Sequence, residues 1–240
     1  MVDAAAERIH KLRVVLAAAC RRLHARGLLA GAEGNLSCRL PDGDVLVTAS
    51  GIDKATIDHT LILRVHADGT PCHEKRDTEH AGDPHLRDPL RRPSSEVEMH
   101  LACYAARADV QAVVHAHPPA ATGFAVAGIP IPADVLPELL VVVGPIALVP
   151  YGRPGTPALA RAMRPFLASH EVFLLANHGV TAVGRSIEDA VLRMESVEQS
   201  ARILAVARLL GGARSLPTGE AAAIASLHSR YESASAVESG

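Results

Sequence analysis

The sequence predicts an α/β fold in which a mixed β-sheet is covered by helices, and three observations carry that expectation. Two long stretches, residues 4–26 and 187–210, repeat apolar side chains at helical spacing. Six short apolar runs between them have the length of strands and are bounded by Gly, Pro and Asn. Helices and strands intermix without the strict alternation, or the early G-x-G-x-x-G turn, of a dinucleotide-binding fold.

From Ala4 to Arg26, the residues Ile9, Leu12, Val15, Leu16, Ala19 and Leu23 recur every three or four positions, and Gly27 stops the helix. Ala30 to Ser37 reads as a polar, Gly-rich connection, followed by β-type runs at Val45–Ala49 and Leu61–His66. Pro71 to Pro93 is crowded with charge, carries His73, His80 and His85, and reads as a long exposed loop able to serve as a lid. Ser94-Ser95 then caps a helix to about Ala108 whose core face includes Val97, Leu101 and Tyr104. Ala112–His117 is a buried strand ended by Pro118-Pro119, with a helix of small residues after it. Leu139–Val149 contains a further strand, and Gly155-Thr156-Pro157 opens a helix to about Ser169. The strands Val172–Ala176 and Val180–Val183 meet at Asn177-His178-Gly179. A long helix from Ile187 to Leu210 ends at Gly211-Gly212, and Thr218–Tyr231 forms the last helix. No linker or internal repeat divides residues 1–240, so one domain is expected.

Composition narrows the function. With 24 Lys+Arg against 26 Asp+Glu, the net charge of −2 gives no basic field for a nucleic-acid backbone, and three Phe and three Tyr without Trp offer little for stacking bases. The longest apolar run, Leu139–Val149, is broken at Gly144-Pro145 and is far shorter than the roughly 20 residues of a membrane span. No signal-like apolar stretch stands at the N-terminus, so a cytoplasmic protein with a small-molecule substrate is expected, with neither nucleic acid nor membrane as partner. Cys20, Cys38, Cys72 and Cys103 are widely spaced, as buried reduced thiols are, and form no C-x-x-C pair.

Histidine is the unusual residue, with 13 copies. In His115-Ala116-His117, at a predicted strand end, the two imidazoles point the same way with Cα atoms about 6–7 Å apart, a spacing that can grip one metal ion or form a simple hydrogen-bonded pair. His178, at a tight Gly turn between two apolar strands, is the candidate third ligand. Three neutral imidazoles on Zn²⁺ leave a coordination position open, which suits a catalytic metal that polarises a carbonyl and stabilises an enediolate. Glu96, in the first turn after Ser94-Ser95, is the candidate general base, although an acid there also suits the helix dipole. Gly34-Asn35, Ser50-Gly51 and Ser94-Ser95 offer N–H and hydroxyl donors to a phosphate, while turns and caps use the same residues structurally. His100, four residues after Glu96, is either a rival ligand or a packed or supporting residue.

The ordered set Gly34-Asn35-Leu36-Ser37, Ser50-Gly51, Pro93-Ser94-Ser95-Glu96, Val114-His115-Ala116-His117-Pro118, Pro150-Tyr151-Gly152 and Asn177-His178-Gly179 resembles the class II aldolase/adducin family. The resemblance implies a three-layer α/β/α sandwich with a largely antiparallel central sheet, assembled as a homotetramer with the site at a subunit interface. It implies that His115, His117 and His178 hold Zn²⁺, or Mn²⁺ or another divalent ion, with Glu96 as acid/base. It also implies that Gly34, Asn35, Ser50, Gly51, Ser94 and Ser95 hold a substrate phosphate. The expected reaction is cleavage of a small phosphorylated ketose by aldol chemistry. Decarboxylation of a 3-oxo acid phosphate, epimerisation or dehydration stands second, and a non-catalytic adducin-like interaction module third.

Two features depart from the family pattern. The stretch where fuculose-phosphate aldolases carry a proton-donating tyrosine of the neighbouring subunit reads Asp134-Val135-Leu136-Pro137-Glu138, which leaves Glu138 as a substitute acid and Tyr231 as a C-terminal one. The segment from Pro71 to Arg92 is longer than usual, which implies an enlarged or differently covered substrate pocket.

Overall fold

The computed structural model describes residues 4–72 and 92–228. In chain order these form α1 (Ala4–Ala25), β1 (Asn35–Arg39), β2 (Val45–Thr48), β3 (Ile62–Val65), α2 (Val97–Ala106), β4 (Ala112–Ala116) and α3 (Pro119–Ala127). They continue with α4 (Pro137–Val142), β5 (Ile146–Val149), α5 (Pro157–Met163), β6 (Val172–Leu175), β7 (Gly179–Gly184), α6 (Ile187–Leu209) and α7 (Thr218–Ala225). The seven strands make one sheet in the order β3-β2-β1-β4-β7-β6-β5. Every neighbouring pair is antiparallel except β5 with β6, so the sheet is mixed and largely antiparallel.

Alternation along each strand divides the interior into two cores. Leu36, Cys38, Leu46, Val114, Leu174 and Ala182 point to one face and pack with α1, α3 and α6. Val45, Val47, Val113, Phe173 and Val183 point to the other and pack with Met99, Cys103 and Tyr104 of α2 and Leu159 and Met163 of α5. Helices therefore cover both faces, giving the three-layer α/β/α sandwich. Among the described residues no helix is long and apolar enough to cross a membrane.

Four local expectations are corrected and one is refined. Asn35–Ser37 is not part of a connection but opens β1, because the positive φ of Gly34 ends the turn and Leu36 and Cys38 then alternate into the core. The run Leu139–Val149 does contain a strand, β5 from Ile146, and its earlier part is the end of helix α4, stopped at Gly144 and Pro145. Helix α5 stops at Met163 and not near Ser169, since Pro165 has no N–H to continue the ladder. Helix α2 starts at Val97, so Glu96 is its N-cap and stands ahead of the first turn. Its buried face is Met99, His100, Cys103 and Tyr104, whereas Val97 and Leu101 are only partly buried.

Candidate metal centre

Central strand β4 is hydrogen-bonded to β1 on one side and β7 on the other, with Asn35 opposite His115 and His115 opposite Thr181. His115 is fully buried and points to the α2 face, while His117 lies one residue beyond the strand end. Two glycines make that end accessible to its neighbours. A Cβ on Gly34 would lie 2.7 Å from the His115 carbonyl oxygen, and one on Gly179 would lie 2.5 Å from His117 Cδ2 and 2.6 Å from the Ala116 carbonyl oxygen. At the β6–β7 turn Asn177 takes a left-handed φ of 57°, a conformation Asn tolerates, and the turn brings His178 to the same end of the sheet.

The three imidazoles converge, with ring centroids 4.7 to 5.1 Å apart and one ligand nitrogen of each within 4.8 Å of the others. Their partners fix two tautomers. His115 Nδ1–H donates to the Val180 carbonyl at 3.0 Å, and His117 Nδ1–H donates to the Glu33 carboxylate at 3.0 Å. Each ring then presents its Nε2 inward, and those two nitrogens stand 3.2 Å apart. Burial pushes the His115 pKa down to about 3, which keeps its inward Nε2 a bare lone pair that a bound cation would satisfy. The donor set therefore fits a divalent metal ion with borderline-soft preferences.

Glu96 completes the cluster. Its Oε2 lies 3.3 Å from His115 Nε2 and accepts from Asn35 Nδ2 at 2.8 Å, while Oε1 lies 3.2 Å from His178 Nε2. Oε1 is buried without a hydrogen-bond partner, as is His178 Nδ1. Burial alone would raise the Glu96 pKa, but the attraction of the His178 and His115 imidazoles and the hydrogen bond from Asn35 outweigh it and hold the carboxyl well below the usual carboxylate range.

The anion-binding candidates divide. Ser50-Gly51 and Ser94-Ser95 meet, because Ala49 bridges Pro93, Ser50 N–H donates to the Arg92 carbonyl and Ser94 N–H donates to the Thr48 carbonyl. Ser95 is exposed, whereas Ser94 is buried and its Oγ accepts from the Glu96 N–H. Asn35 was expected in this phosphate turn, yet its amide faces inward to Glu96 and His100. Glu138 is not brought to the histidines of its own chain: it is exposed on α4 and lines a groove of about 770 Å³ against α6, in the opposite layer from α2. Tyr231 and most of the loop from Pro71 to Pro93, with His73, His80 and His85, lie outside the described residues.

Sequence reading missed Lys54, which is 1% exposed and donates to the Ala32 and Ile52 carbonyls, tying the turn before Gly34 to the turn after Gly51. Only its position after Ser50-Gly51 hinted at this. A second donor cluster, Asp44, His66 and Cys72, is no comparable site. The Cys72 sulfur is nearly equidistant from both His66 ring nitrogens, at 3.3 and 3.4 Å, so it stands over the ring and off the Nδ1 lone pair, and Arg64 already pairs with Asp44.

Residues 14–205 match the Class II Aldolase and Adducin N-terminal domain family. The chain belongs to that family. It is 33% identical over 183 residues to the 3-oxo-tetronate 4-phosphate decarboxylase of Escherichia coli (strain K12), covering 75% of this chain and 79% of the relative. It is 34% identical over 190 residues to the 5-methylthioribulose-1-phosphate/5-deoxyribulose-1-phosphate aldolase of Rhodospirillum rubrum, covering 79% and 78%. The crystal structure of YgbL from Escherichia coli superposes with a TM-score of 0.76 at 30% identity, over 90% of this chain and 99% of that one. This is a family of enzymes that includes aldolases and decarboxylases acting on small molecules, and its class II aldolases depend on a divalent metal.

Proposed function

We propose that this chain is a metal-dependent carbon–carbon lyase acting on a small phosphorylated ketone, that its reaction is decarboxylation of a 3-oxo acid phosphate, and that Glu96 carries the proton. The observation behind this reading is the Oε1 atom of Glu96, an unpartnered buried carboxylate oxygen 3.2 Å from His178 Nε2 in the cluster that also holds His115 and His117. Bound to Nε2 of His115, His117 and His178, Zn²⁺, or Mn²⁺ in its place, would supply Lewis-acid polarisation of the substrate carbonyl.

The chain's own residues do the rest. Ser50, Gly51 and Ser95, with backbone N–H groups at the Gly34 turn and the start of α2, hold the phosphate, and Lys54 keeps the two turns in register. As the bond to the carboxylate breaks, CO₂ leaves and the electron pair stays on the carbon next to the ketone. Glu96, ionised in the free site, takes a proton from solvent water on Oε1 and passes it to that carbon, and the hydroxide left behind is neutralised by bulk solvent.

Decarboxylation moves ahead of aldol cleavage for a chemical reason. An aldol cleavage must also take a proton from the hydroxyl that becomes the aldehyde, whereas departing CO₂ has none to give. Residues 134–138 carry no tyrosine for that task, and Glu138 lies in another layer of its own chain. The aldolase reading is favoured by the Rhodospirillum rubrum relative and would require Glu138 of a neighbouring subunit in a homotetramer, or Tyr231. Both reactions yield dihydroxyacetone phosphate, from 3-oxo-tetronate 4-phosphate by loss of CO₂ and from 5-deoxyribulose 1-phosphate by loss of acetaldehyde.

The test is to give the zinc-loaded protein each of those two substrates and assay dihydroxyacetone phosphate, CO₂ and acetaldehyde. The expected outcome is CO₂ release, competition by inorganic phosphate, and a Glu96→Gln variant that keeps its metal but does not turn over. Acetaldehyde without CO₂ would establish the aldolase, and no product from either substrate would overturn the proposal.

A further inference from the structure

Behind Glu96 lies an uninterrupted line of buried polar side chains. Asn35 and Ser37 alternate along β1 on the α2 face, and His100 and Tyr104 follow Glu96 at steps of four residues, so strand and helix interleave like two combs. The contacts are Glu96 Oε2 to Asn35 Nδ2 at 2.8 Å, Asn35 Oδ1 to His100 Nε2 at 2.5 Å, His100 Nδ1 to Ser37 Oγ at 2.6 Å, and Ser37 Oγ to Tyr104 OH at 2.7 Å. His100 and Ser37 are fully buried, Asn35 is 5% exposed and Tyr104 7%, so water does not compete for these bonds.

The chemistry of each group leaves one direction for the whole line. The Glu96 carboxylate only accepts, so Asn35 must present its NH₂ to it and its oxygen to His100. That oxygen also only accepts, so the His100 proton sits on Nε2. His100 Nδ1 is then a bare lone pair and takes the Ser37 hydroxyl hydrogen, and the Ser37 oxygen accepts from Tyr104. Burial pushes the His100 pKa down to about 4, which keeps the ring neutral and the pattern intact near neutrality.

We propose that His100 is a positioning residue: through Asn35 it holds Glu96 Oε2 as a fixed acceptor and leaves Oε1 as the one carboxylate oxygen able to carry the reacting proton. The inference rests on the reading of Glu96 as proton carrier. It explains why a buried polar line reaches about two helix turns to Tyr104, instead of the apolar packing found at Met99 and Cys103 on the same helix. A neutral His is suited to the middle of such a line because it has one donor and one acceptor on opposite sides of a rigid ring. Glutamine offers a donor and an acceptor at a similar reach from the helix.

Three zinc-loaded proteins test this: the unmodified chain, His100→Leu and His100→Gln. The reaction read is exchange of solvent deuterium into the hydroxymethyl carbon of dihydroxyacetone phosphate, with zinc content measured alongside. His100→Leu should keep its zinc and lose about 10- to 100-fold in exchange kcat with a smaller change in KM, the range seen when a supporting hydrogen bond is removed. His100→Gln should recover most of that loss. An unimpaired His100→Leu, or a folded His100→Gln as impaired as His100→Leu, would overturn the proposal. Imidazole ¹⁵N spectra of the unmodified chain give a reading independent of turnover and of whether the leucine variant folds: His100 should be the Nε2–H tautomer between pH 6 and 8, and the Nδ1–H tautomer would overturn the proposal. If the unmodified chain exchanges no deuterium, the lyase reading fails on its own and the tautomer still decides the direction of the line.

Discussion

Gly34 and Gly31 form a matched pair that separates backbone strain from crowding at the metal centre. Both have positive φ, 70° and 50°, so replacing either with alanine imposes the left-handed penalty of about 1–2 kcal/mol. They differ in surroundings. A Cβ on Gly31 meets nothing within 4 Å, whereas one on Gly34 would lie 2.3 Å from Leu29 Cδ2 and 2.7 Å from the His115 carbonyl oxygen. Leu29 can swing aside, but the carbonyl belongs to the central strand and is about 0.7 Å inside ordinary contact. Overpacking of this kind costs about 1–3 kcal/mol, so Gly34→Ala should lose about 2–5 kcal/mol in total. Urea unfolding of both variants with chelator present measures this without metal linkage, and zinc titration of the folded proteins measures the ligand geometry. Gly34→Ala should be the less stable variant and the weaker zinc binder. Equal stability and equal affinity would refute the claim that the glycine is there to let β1 approach His115.

Three further outcomes follow from the same structure. The His100 pKa is about 4 in the fold against about 6.5 unfolded, so the unfolded chain binds the proton first as pH falls. Stability from this group is therefore intact above about pH 6.5 and declines by about 3 kcal/mol toward pH 4, and a shallower pH dependence of the urea midpoint in His100→Gln checks it. Burial pushes the thiols of Cys20, Cys38 and Cys103 up to about 12, so a disulfide reagent at pH 8 should label Cys72 rapidly in the folded protein and the other three only after denaturation. Replacing His115 with alanine should abolish stoichiometric zinc binding while far-ultraviolet circular dichroism stays unchanged. Retained zinc would remove His115 from the ligand set.

The histidine cluster was legible in the sequence because each member sits beside a strong local signal. His115 and His117 share a strand end marked by Pro118-Pro119, and His178 sits in a turn marked by Asn177 and Gly179. Period-three-and-four repeats marked α1 and α6 within a residue or so of their ends. Strand β1 was not legible: Asn35 and Ser37 look like loop residues, and pairing with β2 and β4, with these side chains buried against His100 and Tyr104, makes them strand residues. The helical start of Leu139–Val149 was hidden for a related reason, since a short apolar run has no period that distinguishes helix from strand.

By itself the sequence determined the ingredients: a mixed sheet covered by helices, three histidines placed at strand ends, and a carboxylate near the start of a helix. Those follow from periodicity and turn chemistry, which act over a few residues. The tertiary structure decided how the ingredients are used. It set Glu96 between two imidazoles, turned Asn35 away from the phosphate turn and toward that carboxylate, buried Lys54 between two loops, and left Glu138 on another layer. Each of these depends on strand pairing and helix docking between positions 20 to 80 residues or so apart, and hydrogen-bond direction in a buried site exists only once both partners are in place.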